Sequence, residues 1–132
     1  SKSHVITDFI LMAIKNKKIK MLTNGKESRD FLYADDCCEG LEIAMKKHTQ
    51  FIKQGISIDI ASGKEIKIIN IAKIIKKIFK KENIDIQIKA KKLKDLIQVN
   101  KRNKVNKYFL KFWKPKTSIQ DGINKIVHHY IR

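Results

Sequence analysis

The chain has 132 residues, 42% of them apolar and 33% charged, with one proline and a formal net charge of +17. That length suits one domain, or a piece of one, with a real core, and the apolar content excludes wholesale disorder. No apolar run approaches the roughly 18 residues a membrane span needs, the N-terminus lacks a secretory signal pattern, and no second Cys or His pair has zinc-ligand spacing.

In chain order, residues 4–14 place Val5, Ile6, Phe9, Ile10, Ala13 and Ile14 at spacings of three and four, which predicts an amphipathic helix. The following "KNKK" sets positive charge at its C-terminal end, where the helix dipole favours it. "IKMLTNG" reads as a short strand and a turn at Asn24-Gly25. "RDFLYA" reads as a second strand, with Phe31 and Tyr33 on one face and Leu32 on the other. Asp35 and Asp36 then suit a helix start as caps. Behind them Cys37, Cys38, Leu41, Ala44 and Met45 form a helical stripe, with the cysteines expected as free thiols in a reducing compartment. "ISIDIA", β-branched and apolar, reads as a buried strand ended by "SGK".

Residues 69–81 predict a further helix, with Ile71, Ile74, Ile75, Ile78 and Phe79 on one face and lysines on the other. "NIDIQIKA" alternates at Ile84, Ile86 and Ile88 as a strand with one buried face. Residues 91–107 read as lysine- and asparagine-rich loop, with a short helix near "NKVNKYFL". After Pro115, "SIQD" resembles a capping box, and Ile119, Ile123, Ile126, Val127 and Tyr130 stripe a last helix. The adjacent His128 and His129 would diverge by about 100° on it, which suits surface or half-buried side chains better than metal ligands. The sum is a mixed α/β chain of four or five helices and four strands, read as a single portion over 1–132.

The charge first suggests a polyanion partner. Yet only Arg29, Arg102 and Arg132 are arginines, the usual forks for phosphates and base edges. The lysines are not interleaved with aromatics as in base-stacking modules. Composition bias among Lys, Ile and Asn codons accounts for the excess, so nucleic acid is an unlikely partner, and a diphosphate-bearing small ligand would also profit from the field. The chain begins at Ser1 without methionine, which hints at a processed or excised piece.

Three segments carry a resemblance. "NGKESRDFLYADDCCEGLEIAM" resembles the G-x-x-x-x-R-D-F-x-Y-V-D-D segment of NAD-dependent nucleotide-sugar epimerases and dehydratases, the extended short-chain dehydrogenases. "IDIASGKEIKIINIAKII" and "FWKPKTSIQDGINKIVHHY" resemble two later segments of that family, in order and near-family spacing. The resemblance implies the C-terminal, substrate-binding portion of a Rossmann-like fold, without the N-terminal NAD-binding βαβ units, with "ISIDIA" supplying a late strand of the Rossmann sheet. Neither G-x-x-G-x-x-G nor Y-x-x-x-K occurs in the chain. No catalytic, cofactor-binding or metal residue is therefore expected here, and NAD(P) is expected with the full-length enzyme.

By the same resemblance, Arg29 matches the arginine that contacts the substrate diphosphate, and a planar guanidinium suits phosphate oxygens; a salt bridge to Asp30 is its alternative role. Lys20 and Met21 match a strand bordering the nucleobase. Lys91 or Lys92 stands where many members carry a second phosphate arginine, with Asp95 matching that motif's acid. Val5, Ile6 and Phe9 fall on a helix lining the nucleotide cleft. Lys67 replaces a helix-opening serine, which removes a cap.

The resemblance implies a cytoplasmic protein of surface-polysaccharide or deoxysugar precursor synthesis. Its partners would be a nucleoside diphosphate sugar and the missing N-terminal half, with self-association through exposed apolar surface and no membrane partner. The rival readings are a non-catalytic interaction protein of the same fold and a lysine-rich nucleic-acid-binding module.

Overall fold

The computed structural model describes residues 4–55, 57–92 and 108–132. The elements run α1 (Val5–Asn16), β1 (Lys18–Lys20), β2 (Ser28–Asp30), α2 (Ala34–Lys46), α3 (His48–Lys53), β3 (Glu65–Lys67), α4 (Ile68–Lys81), β4 (Gln87–Lys89), a 3₁₀ turn (Phe109–Lys111) and α5 (Ile119–Ile131). The fold is mixed α/β. β1 pairs with β4 in parallel, and β2 pairs with β3 in a second two-stranded sheet. The Asn24-Gly25 turn therefore joins strands of different sheets and closes no hairpin.

The chain divides into two compact units: Ser1–Arg29 with Ile66–Asn100 and Gln120–Arg132, and Asp30–Glu65 with Lys101–Ile119. In the first, α1 packs on β1 and α4, and α4 packs on β4. Two-stranded sheets are marginal alone, so this helix cover stabilises the strands. The cover is apolar because Phe9, Ile10 and Ala13 of α1, and Ile71, Ala72, Ile75, Ile78 and Phe79 of α4, recur at helical spacing and are buried. Ile19 and Ile86 are fully buried from the strand side, and α5 contributes Ile123 and Val127. Lys17 ends α1 in the left-handed conformation (φ 50°), its N–H bonded to Ala13 O, so the chain turns at once into β1.

The second unit is built on rings. Phe51 of α3 meets Tyr108, Phe109 and Phe112 edge-on at centroid distances of 5.9, 5.7 and 5.7 Å. Such contacts add to area burial. Trp113 lies against Phe109 at 5.6 Å. Leu32, Ile43, Ile58 and Ile60 pack around this cluster. Asp30 fastens the "SG" turn: its carboxylate accepts from Ser62 N (3.0 Å), Ser62 Oγ (2.6 Å) and Gly63 N (2.7 Å).

Four expectations need correction. Residues 57–60 of "ISIDIA" carry no strand, and Ile56 lies outside the described residues. Strand-like residues form a strand only where a neighbour supplies hydrogen bonds, and the sheets among the described residues pair only β1 with β4 and β2 with β3. Ile58 and Ile60 are instead half-buried against the ring cluster. The aspartates do not cap α2: Tyr33 is its N-cap, without a side-chain cap bond, and Asp35 and Asp36 fall in the first turn. The buried face of α2 also differs from the predicted stripe. It carries Asp36 and Gly40, while Leu41 (50%) and Met45 (73%) are exposed, as is Cys38. The second strand is shorter than "RDFLYA": it starts one residue earlier, at Ser28, and stops at Asp30. Most of the expected 91–107 loop, including Asp95, lies outside the described residues.

Candidate functional site

The parallel pair is in register Lys18↔Gln87, Ile19↔Ile88 and Lys20↔Lys89. Its ladder runs past the strand ends, from Gln87 N to Lys17 O (3.0 Å) through Met21 N to Lys89 O (2.8 Å) to Lys91 N on Thr23 O (3.0 Å). Side chains alternate along such a ladder. Ile19, Met21 and Ile86 point into the core at 0%, 2% and 0% exposure. The opposite face takes Lys18, Lys20 and Leu22 from one chain and Gln87, Lys89 and Lys91 from the other. Lys20, Lys89 and Lys91 are exposed there, and Leu22 is 76% exposed. Lys92, also exposed, follows at the carboxyl end. Open parallel sheets bind ligands outside the carboxyl ends of their strands.

A rigid turn stands at that end. Gly25 N donates to Thr23 Oγ1 (3.1 Å), Thr23 Oγ1 donates to Glu27 Oε1 (2.5 Å), and Lys26 N donates to Asn24 Oδ1 (3.0 Å). Ile69 N on Gly25 O (2.9 Å) and Ile68 N on Glu27 O (3.0 Å) lock the turn to the start of α4. Gly25 has φ +71°, and a Cβ there would lie 2.3 Å from Met21 Cε and 2.9 Å from Ile69 Cβ. Glu27 Oε2 is buried with no hydrogen-bond partner among the described residues. Arg29 stands on β2, half-buried, with Nη1 donating to Ser28 O at 2.9 Å.

Of the residues singled out by sequence, Lys20, Met21 and Lys91 are thus brought together on one two-stranded sheet, with Lys92 beside Lys91. Arg29 belongs to the other sheet. The Met21 side chain is buried beneath Gly25 and forms floor rather than surface. Sequence reading passed over Leu22 and Lys89. Both were visible as members of period-two patterns, but only the pairing register shows that Lys89 stands opposite Lys20. What this face can do chemically is hold an anion: among the described residues it offers several ammonium groups and no carboxylate.

The Asp35-Asp36 pair plays a structural part. Asp36 is 3% exposed and accepts from Thr117 N at 2.9 Å. Burial pushes its carboxyl up, but the N–H groups of Thr117 and Lys116, the Thr117 hydroxyl and the Lys116 charge together hold it below its ordinary value. Lys116 in turn pairs with Glu39 at 2.7 Å, and this partner raises its pKa. Cys37 and Cys38 are free thiols, and no metal-holding group of His, Cys, Asp or Glu occurs among the described residues.

Residues 1–61, a little under half of the chain, match the model of the NAD dependent epimerase/dehydratase family. The chain is 23% identical to UDP-glucuronic acid decarboxylase 1 of Xenopus tropicalis over 126 residues, covering 96% of this chain and 28% of that protein. It is 26% identical to human dTDP-D-glucose 4,6-dehydratase over 133 residues, covering 96% and 36%.

Among solved structures, the epimerase Mth375 of Methanothermobacter thermautotrophicus superposes with a TM-score of 0.77 at 19% identity, over 99% of this chain and 38% of that one. WbmF of Bordetella bronchiseptica, in complex with NAD+ and UDP, gives 0.73 at 23% identity, over 95% and 36%. These likenesses establish the fold alone, a Rossmann-like mixed α/β one. The chain spans about a third of the length of these proteins.

Proposed function

We propose that the chain is the substrate-binding, C-terminal portion of an NAD(P)-dependent nucleotide-sugar epimerase or dehydratase of the cytoplasm, serving surface-polysaccharide or deoxysugar precursor synthesis. Its ligand is a nucleoside diphosphate sugar. The observation that carries this reading is the lysine-rich face at the carboxyl end of β1 and β4, supported by the match of residues 1–61 to the epimerase/dehydratase family model and by the likeness to WbmF, solved with NAD+ and UDP.

In this reading Lys20, Lys91 and Lys92 neutralise the diphosphate, and Arg29 adds a guanidinium fork. Met21 is the floor beneath the base, and Leu22 is the apolar surface beside it. The hydride-transferring cofactor and the acid–base pair belong to the rest of the full-length protein, since the chain has neither a glycine-rich phosphate loop nor Y-x-x-x-K. Alone, the chain binds and does not turn over. The exposed residues Cys38, Leu41 and Met45 of α2 form a strip that this reading assigns to contact with the missing half.

Calorimetric titration of the full-length protein with UDP-, GDP-, CDP- and dTDP-sugars tests the reading and names the base. Charge-assisted bonds are each worth about 1.5–3 kcal/mol, so Arg29→Ala should weaken the binding sugar nucleotide by about 10- to 100-fold. Unchanged affinity removes the phosphate role from Arg29, and no binding by the wild type removes the reading.

A further inference from the structure

We infer that Lys20 and Lys89 act as one cross-strand cation pair that grips a phosphoryl group, which makes Lys89 a ligand-binding residue. The inference rests on the substrate reading above, because it deepens the same site. The two lysines share one register position of the parallel pair. Both lie on the face turned away from the core, since Ile19 and Ile86, of opposite alternation, are fully buried. Neighbouring strands lie about 4.8 Å apart, and like charges placed directly opposite each other are destabilising. Among the described residues, neither Lys20 nor Lys89 pairs with a carboxylate, whereas Lys46 pairs with Glu42 and Lys116 with Glu39.

A sheet that sets two ammonium groups at one register position, with no acid between them among the described residues, is built to receive a multiply charged anion. A phosphoryl group fits. It has several acceptor oxygens, and two ammonium heads on flexible stems can converge on it from adjacent strands. The position is specific: one step back along the face, Lys18 stands opposite neutral Gln87. Two residues onward, about 6.5 Å along the strand, Lys91 is exposed on the same face, within reach of a second phosphoryl group. A diphosphate laid along β4 would meet Lys89 and then Lys91.

The test uses the full-length protein with Lys20→Gln, Lys89→Gln, the double variant, and Lys18→Gln as the control on the same face. The probes are inorganic pyrophosphate and the four nucleoside diphosphates, by calorimetry, with thermal unfolding of the ligand-free protein alongside. Each of Lys20→Gln and Lys89→Gln should weaken diphosphate binding about tenfold while leaving the ligand-free Tm unchanged or higher, because a like-charge contact is removed. Lys18→Gln should stay within about twofold of wild type, since its register partner is neutral.

The inference is overturned if Lys89→Gln binds like wild type, or loses no more than Lys18→Gln. It is also overturned if Lys89→Gln lowers the ligand-free Tm, which marks a structural lysine. Nucleotide binding that depends on Arg29 but not on Lys89 sinks the inference and leaves the substrate reading intact. Pyrophosphate binding that depends on Lys89, with no nucleoside diphosphate bound, does the reverse. No binding of any probe defeats both.

Discussion

Asp36 Oδ2 accepts the Thr117 backbone N–H at 2.9 Å, which ties the segment ahead of α5 to the first turn of α2. The two residues are far apart in sequence, and the carboxylate is almost wholly buried. An ionised group there is tolerated because N–H donors, the α2 dipole and Lys116 surround it.

That arrangement gives stability a defined pH dependence. Asp36 has its carboxyl held below the ordinary value when folded, so its contribution is fully present above the unfolded value of about 4 and is lost as pH falls through the lower, folded value. Asp36→Asn should cost about 1–3 kcal/mol at neutral pH and flatten the acid limb. Denaturant titrations of both proteins from pH 7 down to strongly acidic conditions check this. Parallel pH profiles for wild type and variant would refute it.

Gly40 is the point where α2 lets Trp113 approach. A Cβ there would meet Ile60 Cγ2 at 2.9 Å and Trp113 Cε2 and Cζ2 at 3.1 and 3.2 Å. Gly→Ala inside a helix ordinarily gains up to about 1 kcal/mol, but overpacking costs about 1–3 kcal/mol, so Gly40→Ala should be destabilising on balance. Trp113 is the single tryptophan of the chain. Its emission should therefore shift in the folded variant, and a more stable Gly40→Ala protein with unaltered emission would contradict the packing described.

The α2 strip offers a solution test. Leu41 and Met45 lie four residues apart on one exposed face, at 50% and 73% exposure. The 132-residue chain on its own should self-associate, and Leu41→Gln with Met45→Gln should shift it toward monomer at unchanged helix content. Sedimentation velocity across a concentration series decides. A wild-type chain that stays monomeric at high concentration removes the assignment.

Much of this was legible in the sequence where one physical signal dominated. The periodicities of α1, α4 and α5, Tyr130 apart, which is exposed, and the alternation of Ile84, Ile86 and Ile88 survive in the fold because an apolar face meets a core. Legibility failed where partners decide. The β-branched "ISIDIA" looks like a strand by composition, yet its described residues 57–60 belong to neither two-stranded sheet. The face of α2 was misjudged because hydrophobicity counts Leu41 and Met45 but cannot count Gly40, buried for its lack of a side chain, or Asp36, buried for its hydrogen bonds. At the candidate site the lysines themselves could be picked out, but the opposition of Lys20 and Lys89 is a property of register, fixed by two segments far apart in the chain.

Both compact units are stitched from separated stretches of polypeptide. Phe109 and Trp113 complete the ring cluster from late in the sequence, and Ile123 and Val127 complete the other core later still. A ribosome making this protein must release it through Trp113 before the ring cluster can close, and through Val127 before the other core can. Until then, the buried isoleucines of α4 wait in the open, at a stage where chaperone binding or premature aggregation competes with folding.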